Sequence, residues 1–412
     1  MPNRRLGIYL LLIACLLLGL YSGRRFFFNL AYLFGALIIF SLVWAWTSVN
    51  WVRLARRTRA RRAQVGRTLD ETFSIRNASI LPKIWLEVRD HSDLPGHNPS
   101  VVAPMLWPRQ TFHWTAHTTC VVRGEYTLGP ITLVSGDPFG LFQVTRKVNA
   151  TSKVLIYPAT VPVHSFTIPT GLLAGGDAQR QRTHAVTTNA AGVREYAPGD
   201  SFNRIHWRSS ARKDRLLVKE FELDPMADVW ILLDLSMTAQ YERPYTLEGW
   251  NAGDFFVPPS TIEYGIVISA SLVEYFLTKE RALGFVTYTP VHSIFQPDRG
   301  NRQLTRIFEA LTVARAETDV TCDQLVALEG HHLSRGSTVV IITADPTDNW
   351  ISEAALLVRR GLRIVAIVMD PYSFGEDSVR SIDETQKLLE ANGVLTYIVH
   401  QGDNLTAILS QR

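Results

Sequence analysis

Cysteine is scarce: three in 412 residues, at positions 15, 120 and 322, with no Cys-x-x-Cys and no framework spacing. That excludes a disulfide framework, and nothing in the chain asks for an oxidising compartment. Acid is absent from one whole stretch. Residues 1–67 hold eleven Arg and no Asp or Glu, which against a total of +4 leaves a net −7 on the remainder. A soluble body of that sign is a poor polyanion binder, because nucleic-acid affinity comes from Lys and Arg neutralising phosphates. Catalytic motifs are missing too: no Walker loop, no Gly-x-Ser-x-Gly elbow, no His-Glu-x-x-His helix and no Gly-x-Gly-x-x-Gly behind a strand. Their absence moves the expectation from enzyme to binding protein. His331-His332 lies in a loop without a partner at metal-ligand spacing and reads as a solvated pair.

What is present begins with two apolar runs. Leu6 to Gly23 and Phe26 to Thr47 are almost free of charge for about the twenty residues that cross a hydrocarbon core. The turn at Gly23-Arg24-Arg25 makes them a tight hairpin with both ends on one side. Arg53, Arg56, Arg57, Arg59, Arg61, Arg62 and Arg67 outnumber Arg24 and Arg25. The positive-inside rule therefore places both termini in the cytoplasm and the chain in the cell membrane as a two-pass protein. Trp44, Trp46 and Trp51 suit an interfacial belt, and Arg53 to Arg67 suit anionic lipid headgroups. A cleavable signal peptide led by Arg4-Arg5 is the competing reading. Tyr21-Ser22-Gly23 is a poor small-residue cleavage site for it, and a second span follows at once.

The pattern divides the chain into a transmembrane hairpin (1–52), a basic juxtamembrane linker (53–66), a β-sandwich (67–165), a flexible loop (166–193), a signature segment (194–222) and an α/β domain (223–412). In the third of these, Ile84, Leu86 and Val88 alternate with Trp85, Glu87 and Arg89, and short runs are bounded by Gly, Pro, Asn and Asp, as in immunoglobulin-like sandwiches. In the last, strands are predicted at Val229 to Leu235, Gly284 to Tyr288, Thr338 to Thr343, Leu362 to Met369 and Val394 to Val399. Amphipathic helices are predicted near 262–279, 302–314, 350–360, 377–391 and 404–410. Apolar strands alternating with helices predict a doubly wound parallel sheet covered on both faces. The fold class is thus α/β plus all-β.

The signature segment packs aromatic, cationic and turn-forming residues densely. Gly199-Asp200, Ile205-His206-Trp207, Ser210-Ala211-Arg212 and Val218-Lys219-Glu220-Phe221 occur in that order. In type and spacing they resemble the signature of the bacterial domain-of-unknown-function 58 family. Arg123-Gly124-Glu125-Tyr126-Thr127-Leu128-Gly129-Pro130 and Asp137-Pro138-Phe139-Gly140-Leu141-Phe142 look like the same family's upstream pattern. Two roles are open for His206, Trp207, Arg208 and Arg212: a partner-docking face, since Trp and Arg are enriched at interface hot spots, or an interdomain clamp with Arg208 paired to Glu195 or Asp200. The resemblance implies a MoxR-type AAA+ ATPase as partner, alongside membrane transglutaminase-like proteins.

Ligands of open α/β sheets bind at the carboxyl ends of the strands, where Asp234-Leu235-Ser236-Met237-Thr238 is expected. One carboxylate and two hydroxyls at alternate positions suit a hard cation such as Mg²⁺. The arrangement is similar to the metal-ion-dependent adhesion site of von Willebrand factor A domains, Asp-x-Ser-x-Ser, with Thr238 in place of the last Ser. That resemblance implies two further ligands, for which Thr321 and Asp345 stand as candidates. Asp345 lies one place beyond the usual position, and the Gly-Gly that normally precedes the loop Thr is absent. The expected function is a membrane-anchored, cytoplasm-facing adaptor that grips a protein through this site. The alternatives are an ion-free structural membrane protein, with Asp234 and Ser236 capping the next helix, and a metal-dependent hydrolase using Asp234, Asp345 and His206 as base.

Overall fold

The structure, a computed structural model of the chain, describes residues 2–169, 190–196, 206–221, 228–245, 257–289, 293–375 and 381–410. It divides into two compact units. The first is Met1–Val161 with Arg243–Ser271 and Thr305–Arg315; the second is Pro162–Glu242, Leu272–Leu304 and Ala316–Arg412.

The first unit opens with helices α1 (Pro2–Ser22) and α2 (Arg25–Val49). Both are long and apolar enough to cross a membrane, and Gly19 lies close against the Phe28 ring. Strands β1 (Val52–Thr58), β2 (Arg62–Gln64), β3 (Thr68–Asn77), β4 (Leu86–Asp90), β5 (Val101–Ala103), β6 (Thr111–Thr119), β7 (Gly124–Leu128), β8 (Ile131–Gly136), β9 (Gln143–Val148) and β10 (Ser152–Tyr157) follow. They form sheets of order β1-β3-β6, β5-β4-β8-β9 and β2-β10-β7. Alternation does the sorting: along β3, Leu69, Glu71, Phe73, Ile75 and Asn77 point inward while their neighbours do not, as a period of two requires. Phe73 and Ile75 from the first sheet and Leu86, Val88, Ile131 and Leu133 from the second share one core, so two sheets pack face to face.

The 53–66 stretch departs from the linker expected of it. Its first half is β1, paired antiparallel with β3 from Val52↔Asn77 to Thr58↔Glu71. The charged run conceals a strand because its exposed positions carry Arg53 and Arg57 and its inward face carries Arg56, whose side chain is 4% exposed. A buried Arg is legible as an inward residue only once its carboxylate partners are in place.

Within this unit Arg123 acts as a tie. Its guanidinium grips Glu263 through two bonds of 2.8 and 3.1 Å and donates to the carbonyls of Leu311, Thr312 and Ala314 at 2.9, 3.0 and 2.9 Å. Three carbonyls at the end of one helix are orphan acceptors by construction, and a planar fork of five donors suits them.

The second unit contains β11 (Ala190–Glu195), α3 (Trp207–Lys213), β12 (Leu217–Phe221) and β13 (Val229–Leu233). Beyond these the chain runs α4 (Thr261–Thr278), β14 (Leu283–Thr287), β15 (Ser293–Asp298), α5 (Asn301–Val313), α6 (Cys322–Gly330), β16 (Thr338–Thr343), α7 (Asn349–Arg359), β17 (Arg363–Met369), α8 (Ile382–Ala391), β18 (Leu395–Val399) and α9 (Leu405–Leu409). One six-stranded sheet has the order β15-β14-β13-β16-β17-β18. Every pair is parallel except β14 with β15. All residues of β13, β14 and β16 are buried, as expected of strands covered on both faces. Gly284 in β14 leaves room for the Trp230 indole, since a Cβ there would stand 2.5 Å from the ring.

The five predicted strands and five predicted helices of residues 223–412 are all present, each end within five residues of its expected place. β11 and α3 stand where no element is predicted, and within 223–412 the described residues hold two further strands or α-helices beyond the prediction. β15 alternates partly buried and exposed residues and carries Pro297, a residue tolerated on an edge strand. α6 is nine residues long, too short to display a full apolar period.

Candidate functional site

The carboxyl ends of β13, β16 and β17 each lead into an acid: Asp234, Asp345 and Asp370. Asp234 is 1% exposed and Asp345 7%. The Asp234 amide donates to the Ile342 carbonyl at 2.9 Å, continuing the sheet ladder one residue past the strand. Its carboxylate accepts from the Ser236 amide at 2.9 Å and from the Thr343 hydroxyl at 2.7 Å. Thr343 in turn accepts from the Asp345 amide at 2.9 Å, and Asp345 accepts from the Thr347 amide at 2.8 Å. One threonine hydroxyl thus joins the two acidic turns. The Thr238 hydroxyl, on an exposed residue, lies 3.5 Å from that of Ser236.

Burial decides the electrostatics. It pushes the Asp234 carboxyl up to about 6, against the opposing hydrogen bonds from Thr343 and Ser236, and the Asp345 charge adds to the rise. Asp345 is raised by burial as well. Cys322, fully buried, has its thiol pushed up by burial and then by the Asp234 charge. Among the described residues no ion pair joins a basic side chain to Asp234 or Asp345. The result, among the described residues, is a buried acidic cluster without a cationic partner, in which oxygens surround the two carboxylates and the Cys322 thiol lies close by.

Asp234, Ser236, Thr238 and Asp345 therefore share one neighbourhood, and Thr321 stands apart in role. It is the N-cap of α6, in a capping box with Gln324, so its hydroxyl serves a helix end. The loop threonine beside the site is Thr318, which bridges Ser236 and whose carbonyl accepts from the Met237 amide at 3.0 Å. Thr343, Thr318 and Asp370 were not foreseen. Thr343 was within reach as the Thr-x-Asp pair closing β16, whereas Asp370 reaches the neighbourhood only by sheet order, sharing a small cavity wall with Asp345 and Thr385. The carboxylate and hydroxyl oxygens fit a hard cation. With two carboxylates at its centre the pocket would lean on hydroxyl ligands, and no group of three or more His, Cys, Asp or Glu disposed for a metal occurs among the described residues.

In the signature segment, His206 caps α3, its Nδ1 accepting from the Ser209 amide at 3.1 Å. Ser210 is buried and its hydroxyl closes the turn back to Leu217, at 2.9 and 3.3 Å. Trp207 is 65% exposed, and Arg208 and Arg212 are exposed beside it. Gly199, Asp200 and Ile205 lie outside the described residues, as does most of the 166–193 segment.

A second set of buried acids belongs to the first unit. Arg56 meets Glu71 at 2.6 Å and Asp90 at 3.3 Å, and His97 Nε2 lies 3.1 Å from Glu71 and 3.4 Å from Asp90. Burial alone would raise Glu71, but hydrogen bonds from His97, Arg56 and Thr58 outweigh it and bring the carboxyl down to about 2. His97 is raised despite burial, by Asp90 and Glu71. Arg56, and a His97 that its two carboxylate neighbours push toward the protonated form, face Glu71 and Asp90, the pairing a buried carboxylate needs.

Residues 192–374 match the family described as protein of unknown function DUF58. The uncharacterized protein YeaD of Bacillus subtilis is 21% identical over 255 residues, 61% of this chain and 58% of that protein. The chain thus aligns with little more than half of that relative's length. Among solved structures, the CARDB domain of a Pyrococcus furiosus protein is 13% identical over 26% of this chain and 91% of its own, with a TM-score of 0.19. The alkylpurine DNA glycosylase AlkC of Pseudomonas fluorescens is 11% identical over 28% of this chain and 32% of its own, also at 0.19. Likenesses of that size carry no argument about fold or function.

Proposed function

We propose that the chain is a membrane-tethered adaptor, its soluble part facing the cytoplasm, that binds a protein through the acidic rim of the second unit. The carrying observation is the junction of Asp234 and Asp345 through the Thr343 hydroxyl, at adjacent parallel strands, without a basic partner among the described residues. On this reading the first unit's sandwich is immunoglobulin-like and the second unit is von Willebrand factor A-like. Asp234, Ser236, Thr238 and Asp345 would hold Mg²⁺, and the ion would supply an open position for a partner's Asp or Glu. The protein's own groups exclude water from Asp234 and keep its two oxygens oriented. The exposed Trp207, Arg208 and Arg212 offer a second contact of hot-spot chemistry. The partner class implied by the family resemblance is a MoxR-type AAA+ ATPase, with a membrane transglutaminase-like protein in the same assembly.

The test is recovery of such an ATPase by the detergent-solubilised protein, with and without EDTA, comparing wild type with Asp234→Ala. Loss of the partner in EDTA and in the variant is the expected result. Equal recovery in all arms would defeat the ion-assisted contact. That outcome is the one required by an ion-free reading, which the hydrogen bonds already satisfying both Asp234 oxygens favour.

A further inference from the structure

We propose that the first unit is seated in an anionic phospholipid bilayer by an apolar collar of its own loops. The proposal rests on the reading that α1 and α2 span that bilayer. Five large apolar side chains stand exposed on the strand domain's loops and its junction with α2: Trp51 at 53%, Ile80 at 86%, Met105 at 42%, Trp107 at 60% and Phe139 at 49%. Scattered apolar residues need no explanation, but these belong to loops that the structure gathers at one place.

Asn77, fully buried, does the gathering. Its Nδ2 donates to the carbonyls of Leu81, Leu106 and Trp107 at 2.9, 3.1 and 3.3 Å. The next amide, Ala78, donates to the Trp51 carbonyl at 2.8 Å. That carbonyl lies two residues beyond the end of α2. Three more ties fix the loops to the helix. The buried Lys83 ammonium donates to the Thr47 carbonyl; Arg146 donates to the Val49 carbonyl at 3.1 Å; Ser48 donates to the Gly136 carbonyl at 3.3 Å. The collar therefore cannot swing away from the membrane face at which α2 emerges.

Phe139 adds depth. Its ring centroid is 6.4 Å from that of Phe40, and Phe40 precedes the end of α2 by nine residues, about 14 Å of helix. A turn of the strand domain thus lies alongside apolar helix rather than beyond it. Arg5, at the start of α1, donates to the Leu141 carbonyl and stacks over Phe142 at 5.2 Å, so both outer ends of the hairpin meet the same turn.

Charge selects the lipid. Arg53 and Arg76 stand directly opposite each other in register, both exposed, at the end of β1 and β3 next to Trp51. A like-charged cross-strand pair is unfavourable in water and is relieved by an anionic headgroup. Tryptophan flanking the cationic pair matches the composition of a membrane interface.

The experiment uses the full chain in phosphatidylcholine vesicles containing phosphatidylglycerol, with a nitroxide on Ile80→Cys, Trp107→Cys or Phe139→Cys. The three native cysteines are buried, so unmodified protein gives the labelling background. Leu42→Cys on α2 reports lipid, and Arg59→Cys, beyond the far end of β1, reports water. Collisions with oxygen should exceed those with a water-soluble nickel chelate at 80, 107 and 139, as at 42 and opposite to 59. Labels at 80, 107 and 139 that behave like 59 while 42 reads lipid would overturn the collar and leave the span standing. Labels shielded from both quenchers would also overturn it, in favour of a protein occupant. If 42 itself reads water, the spanning reading fails and the collar with it.

Discussion

Glu71 in the first unit and Asp234 in the second are both buried carboxylates, yet burial has opposite outcomes for them. Glu71 is held down at about 2 because Arg56 and His97 reach it; Asp234 is pushed up to about 6 because burial meets only hydroxyl and amide donors and a second acid. Neutral donors orient a carboxylate without cancelling its charge. Among the described residues the first arrangement brings Arg56 and His97 to its carboxylates, and the second brings no basic side chain to Asp234. On the proposed reading, that contrast is why the sheet rim and not the sandwich is the place to look for a partner.

The strongest way to break the contrast is to remove the compensation. Arg56→Met leaves Glu71 and Asp90 facing only His97, and thermal unfolding should show a loss of about 3–5 kcal/mol, the usual cost of orphaning a buried charge. Adding Glu71→Gln to that variant should recover part of the loss. A small effect of the single substitution would mean the sandwich cluster is not held together by its charges.

At the rim the sign reverses. The Asp234 pKa is higher folded than its ordinary 3.8, so the native state binds the proton more tightly. Stability therefore falls as pH rises from about 3.8 to about 6 and stays low above that. Asp234→Asn should escape this penalty and be more stable than wild type above about pH 6 in EDTA, by up to about 3 kcal/mol, seen as a higher melting temperature. The gain should vanish in acid. Glu71 behaves oppositely: its contribution is full above about 4.5 and is lost as pH falls toward about 2, read by hydrogen exchange in β3. A pH series in which the Asn variant never exceeds wild type would remove the claim of an uncompensated rim.

Magnesium sharpens the same point. If the rim takes the ion, Mg²⁺ at a hundred times Kd should stabilise the wild type by about 2.7 kcal/mol, read as a higher melting temperature, and leave Asp234→Asn unmoved. Equal responses would assign the effect elsewhere. The smallest effect is expected at Trp207→Ala. An exposed residue that caps nothing should change stability by less than about 0.5 kcal/mol while lowering partner recovery, and a large destabilisation would make the signature a clamp.

The two apolar helices, the alternation of strands and helices in the second half and the Asp234-Ser236-Thr238 turn were all legible as local patterns, because periodicity and turn chemistry are written over a few neighbouring residues. Thr321 stands in a different local role, the N-cap of α6. Its hydroxyl suited a ligand by composition, but Gln324 three residues on completes a capping box, and the short helix it starts gave no periodic warning. The 53–66 run reads as a basic juxtamembrane linker because seven residues of strand carry three arginines, and charge masks the alternation.

The order of residues alone determined which segments are apolar enough to enter a membrane, which strands are covered on both faces and which turn bears the first acid. Only the tertiary structure decided that Asp345 and Thr343 stand beside Asp234, that Arg56 points inward to Glu71, and that Asn77 gathers Ile80 and Trp107 near the end of α2. Those are contacts between residues far apart in the chain. They depend on strand order and register, which local propensity does not encode, and on desolvation, which has no magnitude until the surrounding atoms are placed.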